Sequence, residues 1–235
     1  AVDVSTSMLA EDLKPNRLEA AKDVAAEFIN GRPNDNIGIT LFAGESFTQC
    51  PLTVDHAVLL DMIHNIKCGL IEDGTAVGMG IANAVTRLKD SKAKSKVIIL
   101  LTDGTNNKGD ISPMTAAEIA KSFGIRVYTI GVGTNGMAPY PYPVGNTVQY
   151  VSMPVEIDEK TLTQIAGTTD GNYFRATSNS KLKEVYEEID KLEKTKLNVK
   201  EYSKRDEEYH WFALAAFLCV LLEVLLRNSI LKKIP

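Results

Sequence analysis

Short apolar runs alternate with longer amphipathic segments along most of the chain. The segments Ile37–Phe42, 97–101 and Ile125–Val132 are rich in apolar residues, which is typical of strands covered on both faces of a parallel sheet. Between and after them, apolar residues recur at intervals of three and four, the spacing of a helix with one buried face. This alternation predicts an α/β fold: a doubly wound, mostly parallel sheet with helices on both faces.

The amphipathic segments predict the individual helices. The first has a buried face that begins at Leu18, with Pro15 in its first turn, and the segment 31–35 ends it. Further helices are predicted at 54–66, 75–88, 113–123, 158–165 and 180–192. The inward residues of the second helix are predicted to be Val58, Leu59, Met62, Ile63 and Ile66. An edge strand at 47–52, where a proline is tolerated, and a last strand at 173–174 complete the sheet.

Residues 137–155 break this alternation. Prolines occupy alternate positions at 139, 141 and 143, and tyrosines lie at 140, 142 and 150. Gly145 and Asn146 suit the turn of a β-hairpin. The segment is therefore predicted to be a surface excursion. Two interpretations stay open: an aromatic binding element, or an insert folded against its own domain.

The C-terminal part of the chain changes character twice. Residues 193–209 are polar, with charges of both signs, whereas residues 211–226 are apolar except for Glu223. With its flanking residues this segment approaches the roughly 20 residues that span a bilayer. Tyr209 and Trp211 lie where an interfacial aromatic belt would be. The predicted organisation is a globular domain at 1–194, a polar linker at 195–209, a transmembrane helix at 210–230 and a basic cytoplasmic tail at 231–235.

The charges that flank this segment predict its orientation. Arg227, Lys232 and Lys233 follow it, and the positive-inside rule places them in the cytoplasm. The globular domain would then lie on the outer side of the membrane. Lys204 and Arg205 precede the segment and reduce the difference in positive charge between its two ends.

The first strand ends near Val4 and is shorter than the usual ~5–6 residues. The chain also begins with alanine rather than methionine. We therefore expect it to be a piece of a longer protein.

Composition narrows the classes of function. The chain has 235 residues, 44% of them apolar, which is enough for one substantial core. Its net charge is −4 with interspersed signs, so the clustered basic stripe of a nucleic-acid surface is absent from the sequence. Cys50, Cys68 and Cys219 do not have the spacing of a metal site. Two possibilities stay open for Cys50 and Cys68: they pair as a disulfide in an oxidising compartment, or both remain free thiols.

The chemistry of the chain centres on Asp-x-Ser-x-Ser at its start. Alternate residues of an extended segment share a face, so Asp3, Ser5 and Ser7 project together from the end of the first strand. Two later loops supply further oxygens through Thr75 and Asp103. Carboxylate and hydroxyl oxygens are hard ligands, which suit Mg²⁺ better than a soft metal.

Other interpretations of these residues remain. In one, Asp3 and Asp103 cap the loops by hydrogen bonds and no metal is bound. In another, a metal is bound but only stabilises a membrane-tethered scaffold. Mg²⁺ with Asp3 also suggests phosphoryl transfer through an aspartyl intermediate, for which Lys108 is the nearest cation in sequence. No triad is evident, and His56 and His64 are expected on a helix surface. We therefore expect a binding protein rather than an enzyme.

The three loops together resemble the metal-ion-dependent adhesion site (MIDAS) of von Willebrand factor A domains. The resemblance covers roughly residues 1–194 and implies that Ser5, Ser7 and Thr75 supply hydroxyl oxygens. It implies carboxylates from Asp3 and Asp103, some of them acting through water. The implied cofactor is Mg²⁺, with Mn²⁺ or Ca²⁺ as alternatives, and the implied ligand is an acidic residue of a partner protein.

A narrower resemblance is to the membrane-anchored aerotolerance proteins of bacteria, the BatA/BatB group. It rests on residues 7–12, 42–45 and 70–75 and on the tail 232–235. It implies a place in the bacterial inner membrane with the domain on the periplasmic side. It also implies that the partners are related A-domain membrane proteins and a MoxR-type AAA+ ATPase, in a system linked to envelope stress or oxygen tolerance.

Overall fold

The computed structural model describes residues 1–145 and 147–202 and separate positions farther along the chain. Those positions are Leu214, Ala216, Phe217, Leu218, Val220, Leu222, Glu223, Val224 and Leu226. The chain divides into two compact units, Ala1–Glu193 and Lys194–Pro235.

The described residues form eight strands and six α-helices. The strands are β1 (Val2–Asp3), β2 (Ile37–Phe42), β3 (Ser46–Thr53), β4 (Lys96–Thr102), β5 (Ile125–Val132), β6 (Met137–Val144), β7 (Thr147–Pro154) and β8 (Tyr173–Ala176). The helices are α1 (Arg17–Asn30), α2 (His56–His64), α3 (Val77–Leu88), α4 (Pro113–Ser122), α5 (Glu159–Thr168) and α6 (Asn179–Tyr202). A short 3₁₀ helix, Thr6–Leu9, follows β1.

The main sheet has the order β3-β2-β1-β4-β5-β8. Every neighbouring pair is parallel except β2 and β3, where the edge strand β3 runs antiparallel. The chain adds strands on one side of β1 and then crosses to the other side to form β4. The carboxyl ends of β1 and β4 are therefore neighbours at the topological switch point, where α/β sheets bind ligands.

Helices cover both faces of the sheet, as predicted. In β5 the side chains of Tyr128 and Ile130 belong to one core, whereas Ile125 and Val127 belong to the other. The first core also contains residues of α1, α2 and α6, and the second contains residues of α3, α4 and α5. The alternation within β5 follows from the two-residue period of a strand, which sends successive side chains to opposite faces.

Two details of the first two predicted helices are wrong. The first helix begins at Arg17 rather than at Pro15, because the side chain of Asn16 accepts a hydrogen bond from the Glu19 amide and caps the helix there. In α2, Val58 is 44% exposed although we expected it to point inward. Helix α2 ends at His64, so its buried face is narrow and rests on Leu59 and Ile63.

The predicted excursion at 137–155 is a hairpin of β6 and β7 that forms its own two-stranded sheet. Farther on, α6 continues as far as Tyr202. Most of the predicted transmembrane segment at 210–230 lies outside the described residues, and the described positions within it are helical and exposed. Within the described part of the chain, no helix is both long enough and apolar enough to cross a membrane.

A buried carboxylate fixes α6 to the amino ends of β4 and β5. Glu193 is 4% exposed and accepts hydrogen bonds from the Tyr128 hydroxyl at 2.6 Å and from the Ser95 hydroxyl at 2.9 Å. It also pairs with the Arg126 guanidinium, whose Nη2 lies 2.5 Å from Oε2. These donors hold the pKa of Glu193 below its ordinary value although burial alone would raise it.

We expect Glu193→Gln to lower the free energy of unfolding by about 2–3 kcal/mol at pH 7, because Arg126 would lose its buried partner. A carboxylate with a lowered folded-state pKa stabilises the protein above its unfolded-state pKa and loses that effect as the pH falls through the folded-state pKa. The difference between variant and wild type should therefore shrink below about pH 4.5, the ordinary glutamate value. Urea unfolding at several pH values measures this.

Glu184→Gln is the matched control, because Glu184 is exposed on the same helix and pairs with Lys181 at the surface. It should change the unfolding free energy little at any pH. A difference between Glu193→Gln and wild type that stays constant from neutral to acidic pH would contradict the assigned role of the Glu193 charge.

Candidate metal centre

The loops after β1 and β4 meet through Asp3. Its side chain is fully buried at the end of β1, with Oδ1 accepting a hydrogen bond from the Ser5 amide at 2.9 Å. Its Oδ2 accepts one from the Thr102 hydroxyl at 2.6 Å. Asp3 therefore holds the two loops together, since each of its carboxylate oxygens accepts a hydrogen bond from one of them.

A chain of hydroxyls leads from the first loop to Asp103. The Ser5 and Ser7 hydroxyl oxygens lie 2.9 Å apart, and the Ser7 hydroxyl donates to Asp103 Oδ1 at 2.7 Å. Ser5 and Asp103 are each 3% exposed. Four of the five predicted ligands are thus linked within two short loops at the switch point.

Thr75, the fifth predicted ligand, lies beside the same group. It is 4% exposed, and its amide donates to the Asn107 side-chain oxygen at 2.9 Å. A Cβ atom added to Gly104 would lie 3.3 Å from the Thr75 hydroxyl oxygen, so this hydroxyl faces the residue that follows Asp103. Helix α3 begins at Val77, two residues later than we predicted, so Thr75 precedes its N-cap by one residue.

Sequence reasoning missed the cation of the site. Arg17 lies at the start of α1 and is 3% exposed. Its Nη1 donates to Asp103 Oδ2 at 2.7 Å, while its Nε and Nη2 donate to the two oxygens of Asp12, each at 2.7 Å. Asp12 in turn accepts from the Thr134 amide at 2.8 Å, which ties in the loop after β5. Only the three-dimensional arrangement indicates this role, since no spacing rule marks Arg17.

A second missed contact fixes the first loop from outside. Asp73 accepts hydrogen bonds from the amide of Thr6 at 3.0 Å and from its hydroxyl at 2.8 Å. Thr6 is the residue between Ser5 and Ser7, so Asp73 orients both serines. Asp73 lies two residues before Thr75, and this place in the same loop is the sequence signal that indicates its role.

The site has an excess of negative charge. Burial, and then the neighbouring Asp103 carboxylate, raise the pKa of Asp3 to about 7. Burial also raises the pKa of Asp103, although the Arg17 guanidinium opposes this. The carboxylates of Asp12 and Asp103 share the Arg17 guanidinium, whereas Asp3 accepts hydrogen bonds from the neutral Ser5 amide and Thr102 hydroxyl. Uncompensated buried charge is costly. A bound divalent cation would neutralise the remainder.

The donor set fits a hard cation such as Mg²⁺. Ser5, Ser7 and Thr75 offer neutral hydroxyl oxygens, and both oxygens of Asp3 and of Asp103 already accept hydrogen bonds. The carboxylates are therefore placed to act through metal-bound water, which Mg²⁺ retains readily. Among the described residues, no cluster of three or more histidine, cysteine, aspartate or glutamate side chains forms a softer or more acidic site.

The described cysteines and histidines make other contacts. Cys50 and Cys68 are both free, and the Cys68 thiol donates to the Ser5 carbonyl at 3.4 Å. Burial and the nearby aspartates raise the pKa of Cys68 to about 12, so its thiol stays protonated. His56 and His64 lie on α2 and contact the backbone carbonyls of Asp35 and Leu60.

Comparison with known sequences identifies relatives of the chain. A model of the von Willebrand factor type A domain matches residues 1–188. An uncharacterized protein of Borreliella burgdorferi is 27% identical over 235 residues, which is 99% of this chain and 69% of that protein. A UPF0353 protein of Mycolicibacterium paratuberculosis is 31% identical over 199 residues, 79% of this chain. The chain spans 56% of the length of this second relative.

Solved structures have the same fold. The conserved hypothetical protein BatB of Bacteroides thetaiotaomicron superimposes with a TM-score of 0.71 at 34% identity, covering 82% of this chain and 96% of that one. An aerotolerance-related membrane protein of Bacteroides fragilis gives 0.69 at 33% identity, covering 81% and 96%. Proximal thread matrix protein 1 of the mussel byssus, with a zinc-occupied MIDAS motif, gives 0.62 at 25% identity, covering 81% and 43%.

Proposed function

Because this chain belongs to the von Willebrand factor type A domain family, we propose that its N-terminal unit binds a partner protein through a divalent cation. The cation is Mg²⁺ by the chemistry of the donors, with Mn²⁺ or Ca²⁺ as alternatives. A carboxylate of the partner completes the metal shell. The observation that carries the proposal is the meeting of the two serine hydroxyls, the Thr75 hydroxyl and two buried aspartates at the switch point.

Each residue has a defined part in this proposal. Ser5, Ser7 and Thr75 supply hydroxyl oxygens to the metal, while Asp3 and Asp103 hold metal-bound water and balance the charge. The mussel protein supports a divalent ion, because a structural relative holds zinc in its MIDAS motif. The site at the end of the sheet is open to a partner, since Ser7 and Thr6 are only half buried.

The setting in the membrane is also part of the proposal. A structural neighbour is named an aerotolerance-related membrane protein, and this chain carries an apolar segment at 210–230. We place the binding unit on the outer face of a bacterial inner membrane, anchored by that segment. The proposed partners are related A-domain membrane proteins and, across the membrane, a MoxR-type AAA+ ATPase, in envelope stress or oxygen tolerance.

A structural role for the metal is the second candidate. Its support is that Asp3 and Asp103 already join the two loops by hydrogen bonds, so the metal would mainly stabilise the unit as a scaffold. Phosphoryl transfer has less support. Both oxygens of Asp3 accept hydrogen bonds and the side chain is fully buried, whereas an aspartyl nucleophile needs an oxygen facing the phosphate.

Titration of the full chain with Mg²⁺ and with Mn²⁺ by calorimetry tests the metal site. We expect one saturable site and its loss, by at least about tenfold in affinity, in Ser7→Ala, because a direct oxygen ligand is removed. Ser122→Ala is the matched control, since that hydroxyl contacts only the Ile119 carbonyl on α4. Wild-type metal affinity in Ser7→Ala would overturn the site assignment.

A second measurement distinguishes partner binding through the metal from a purely structural role of the metal. If the metal serves capture, removal of metal should abolish binding of acidic peptides while the unit stays folded. If the metal serves as a structural brace, removal of metal should lower the melting temperature sharply, and acidic peptides should not bind even at saturating metal.

A further inference from the structure

The hairpin of β6 and β7 is an uncharged ribbon in a charged protein. We call residues 137–154 the ribbon. It contains no aspartate, glutamate, lysine, arginine or histidine, whereas these acidic and basic residues other than histidine form 24% of the whole chain. A protein surface of this length normally carries charges for solubility, so their absence indicates a surface that is covered at some stage.

Apolar side chains of the ribbon are exposed on both strands. All of β7 is exposed, and seven large apolar or aromatic residues of the ribbon are between 44% and 59% exposed. These are Met137, Tyr142, Val144, Val148, Tyr150, Val151 and Met153. A two-stranded ribbon is marginally stable unless it packs against something. The exposure of β7 favours the interpretation as a binding element over that of an insert folded against its own domain, although Tyr150 of β7 contacts the domain through Glu11.

The ribbon stands directly beside the candidate metal centre. The amide of Glu11 donates to the Pro139 carbonyl at 2.9 Å, and the Tyr150 hydroxyl donates to the Glu11 carboxylate at 3.0 Å. Glu11 lies two residues after the 3₁₀ helix that carries Ser7. A partner that reaches the metal would thus meet the ribbon at the border of the site.

The edge of β6 cannot accept a further strand. Pro139, Pro141 and Pro143 occupy alternate positions, so they point their backbone groups to one side, and proline has no N–H. The Pro139 carbonyl bonds Glu11 rather than β7, which shows that this side is the outer edge. Strand addition needs alternating donors and acceptors, so a partner that approaches along β6 contacts the ribbon through side chains instead.

One face of the ribbon is exposed over most of its length, although Ala138 near its start is buried at 4% exposed. Cross-strand pairs share a face, which places Tyr140 with Val151 and Ala138 with Met153. Tyr142 lies on this face as well, by the alternation of β6. The opposite face carries Tyr150, whose hydroxyl is already bound to Glu11. We call the side with Tyr142, Val151 and Met153 the apolar face.

We propose that the apolar face and the metal form one docking surface for an acidic residue flanked by uncharged, apolar residues. This rests on the proposed function of the metal centre and names the chemistry of its partner. A charged segment over the ribbon would lose its hydration and find no opposite charge there, whereas apolar residues gain from burial. The single carboxylate is neutralised by the metal.

Two other candidate ligands of this docking surface fit less well. A second copy that pairs ribbon with ribbon would bring no carboxylate to the metal, because the ribbon contains none. A membrane surface is normally met by apolar residues together with lysine or arginine that contact lipid phosphates, and the ribbon has neither cation.

Fluorescence anisotropy with two labelled synthetic peptides tests the proposal on the full chain with saturating Mg²⁺. Both peptides have a central aspartate, flanked in one by valines and tyrosines and in the other by serines. We expect the apolar peptide to bind about tenfold more tightly, which corresponds to burial of one or two apolar side chains. Val151→Lys should remove this preference, while Val148→Lys on the opposite face should keep it.

Each contrary result has a separate meaning. Equal, Mg²⁺-dependent affinities for the two peptides would overturn the docking surface and leave the proposed function standing. Failure of both peptides to bind the Mg²⁺-loaded chain would overturn both. A preference for the apolar peptide that persists in EDTA would show that the ribbon binds it independently of the metal, which would overturn the joint docking surface. A dimer in light scattering that Val151→Lys dissociates would assign the apolar face to a second copy instead.

Discussion

Arg17→Met should lower the free energy of unfolding by about 3–5 kcal/mol, because it leaves two buried carboxylates without their partner. The side chains of Arg17, Asp12 and Asp103 are 4%, 2% and 0% exposed, so water cannot replace the lost guanidinium. Methionine has similar length and apolar character, which limits the cavity term. Urea unfolding of the full chain in EDTA measures the loss without the compensating charge of a metal.

Arg87→Met is the matched control, since Arg87 is exposed and its guanidinium donates to the Thr48 hydroxyl. It should change stability by less than about 0.5 kcal/mol. The double variant Arg17→Met with Asp12→Asn should be less destabilised than the sum of the two single variants, because the second change removes one of the orphaned charges. Equal loss in Arg17→Met and Arg87→Met would show that the buried pairs contribute little.

Gly78→Ala should both destabilise the fold and weaken the metal site. A Cβ atom at Gly78 would lie 2.0 Å from the Ile111 carbonyl oxygen, so helix α3 would have to move away from the segment before α4. Overpacking against backbone costs about 3 kcal/mol or more. Thr75 lies one residue before the N-cap of this helix, so its hydroxyl would move too. Urea unfolding and Mn²⁺ titration measure the two effects.

Gly167→Ala is the matched control, because nothing lies within 4 Å of a Cβ atom added there on α5. Alanine is the better helix former, so stability should stay equal or rise by up to about 1 kcal/mol. Metal affinity should not change. Similar unfolding free energies for the two glycine variants would show that α3 has room to shift and that its close approach does not position Thr75.

The sequence by itself determined the architecture. The apolar runs of β2, β4 and β5 and the helical periodicity between them specify a sheet covered on both sides, because buried strands and helix faces must be apolar at fixed intervals. The same local rules placed the hairpin, since Gly145 and the alternating residues around it suit a tight turn. Asp3, Ser5 and Ser7 were recognisable as hard donors from residue type and spacing alone.

Tertiary structure decided what those donors contact. Arg17, Asp12 and Asp73 come from separate segments, and their roles depend on distances that no sequence spacing encodes. The 44% exposure of Val58 likewise follows from how much of α2 the sheet covers. The start of α1 at Arg17 is instead set locally, by the Asn16 cap. Local patterns reflect the average burial of an element, whereas the charge balance of a site depends on which loops the topology brings to one edge of the sheet.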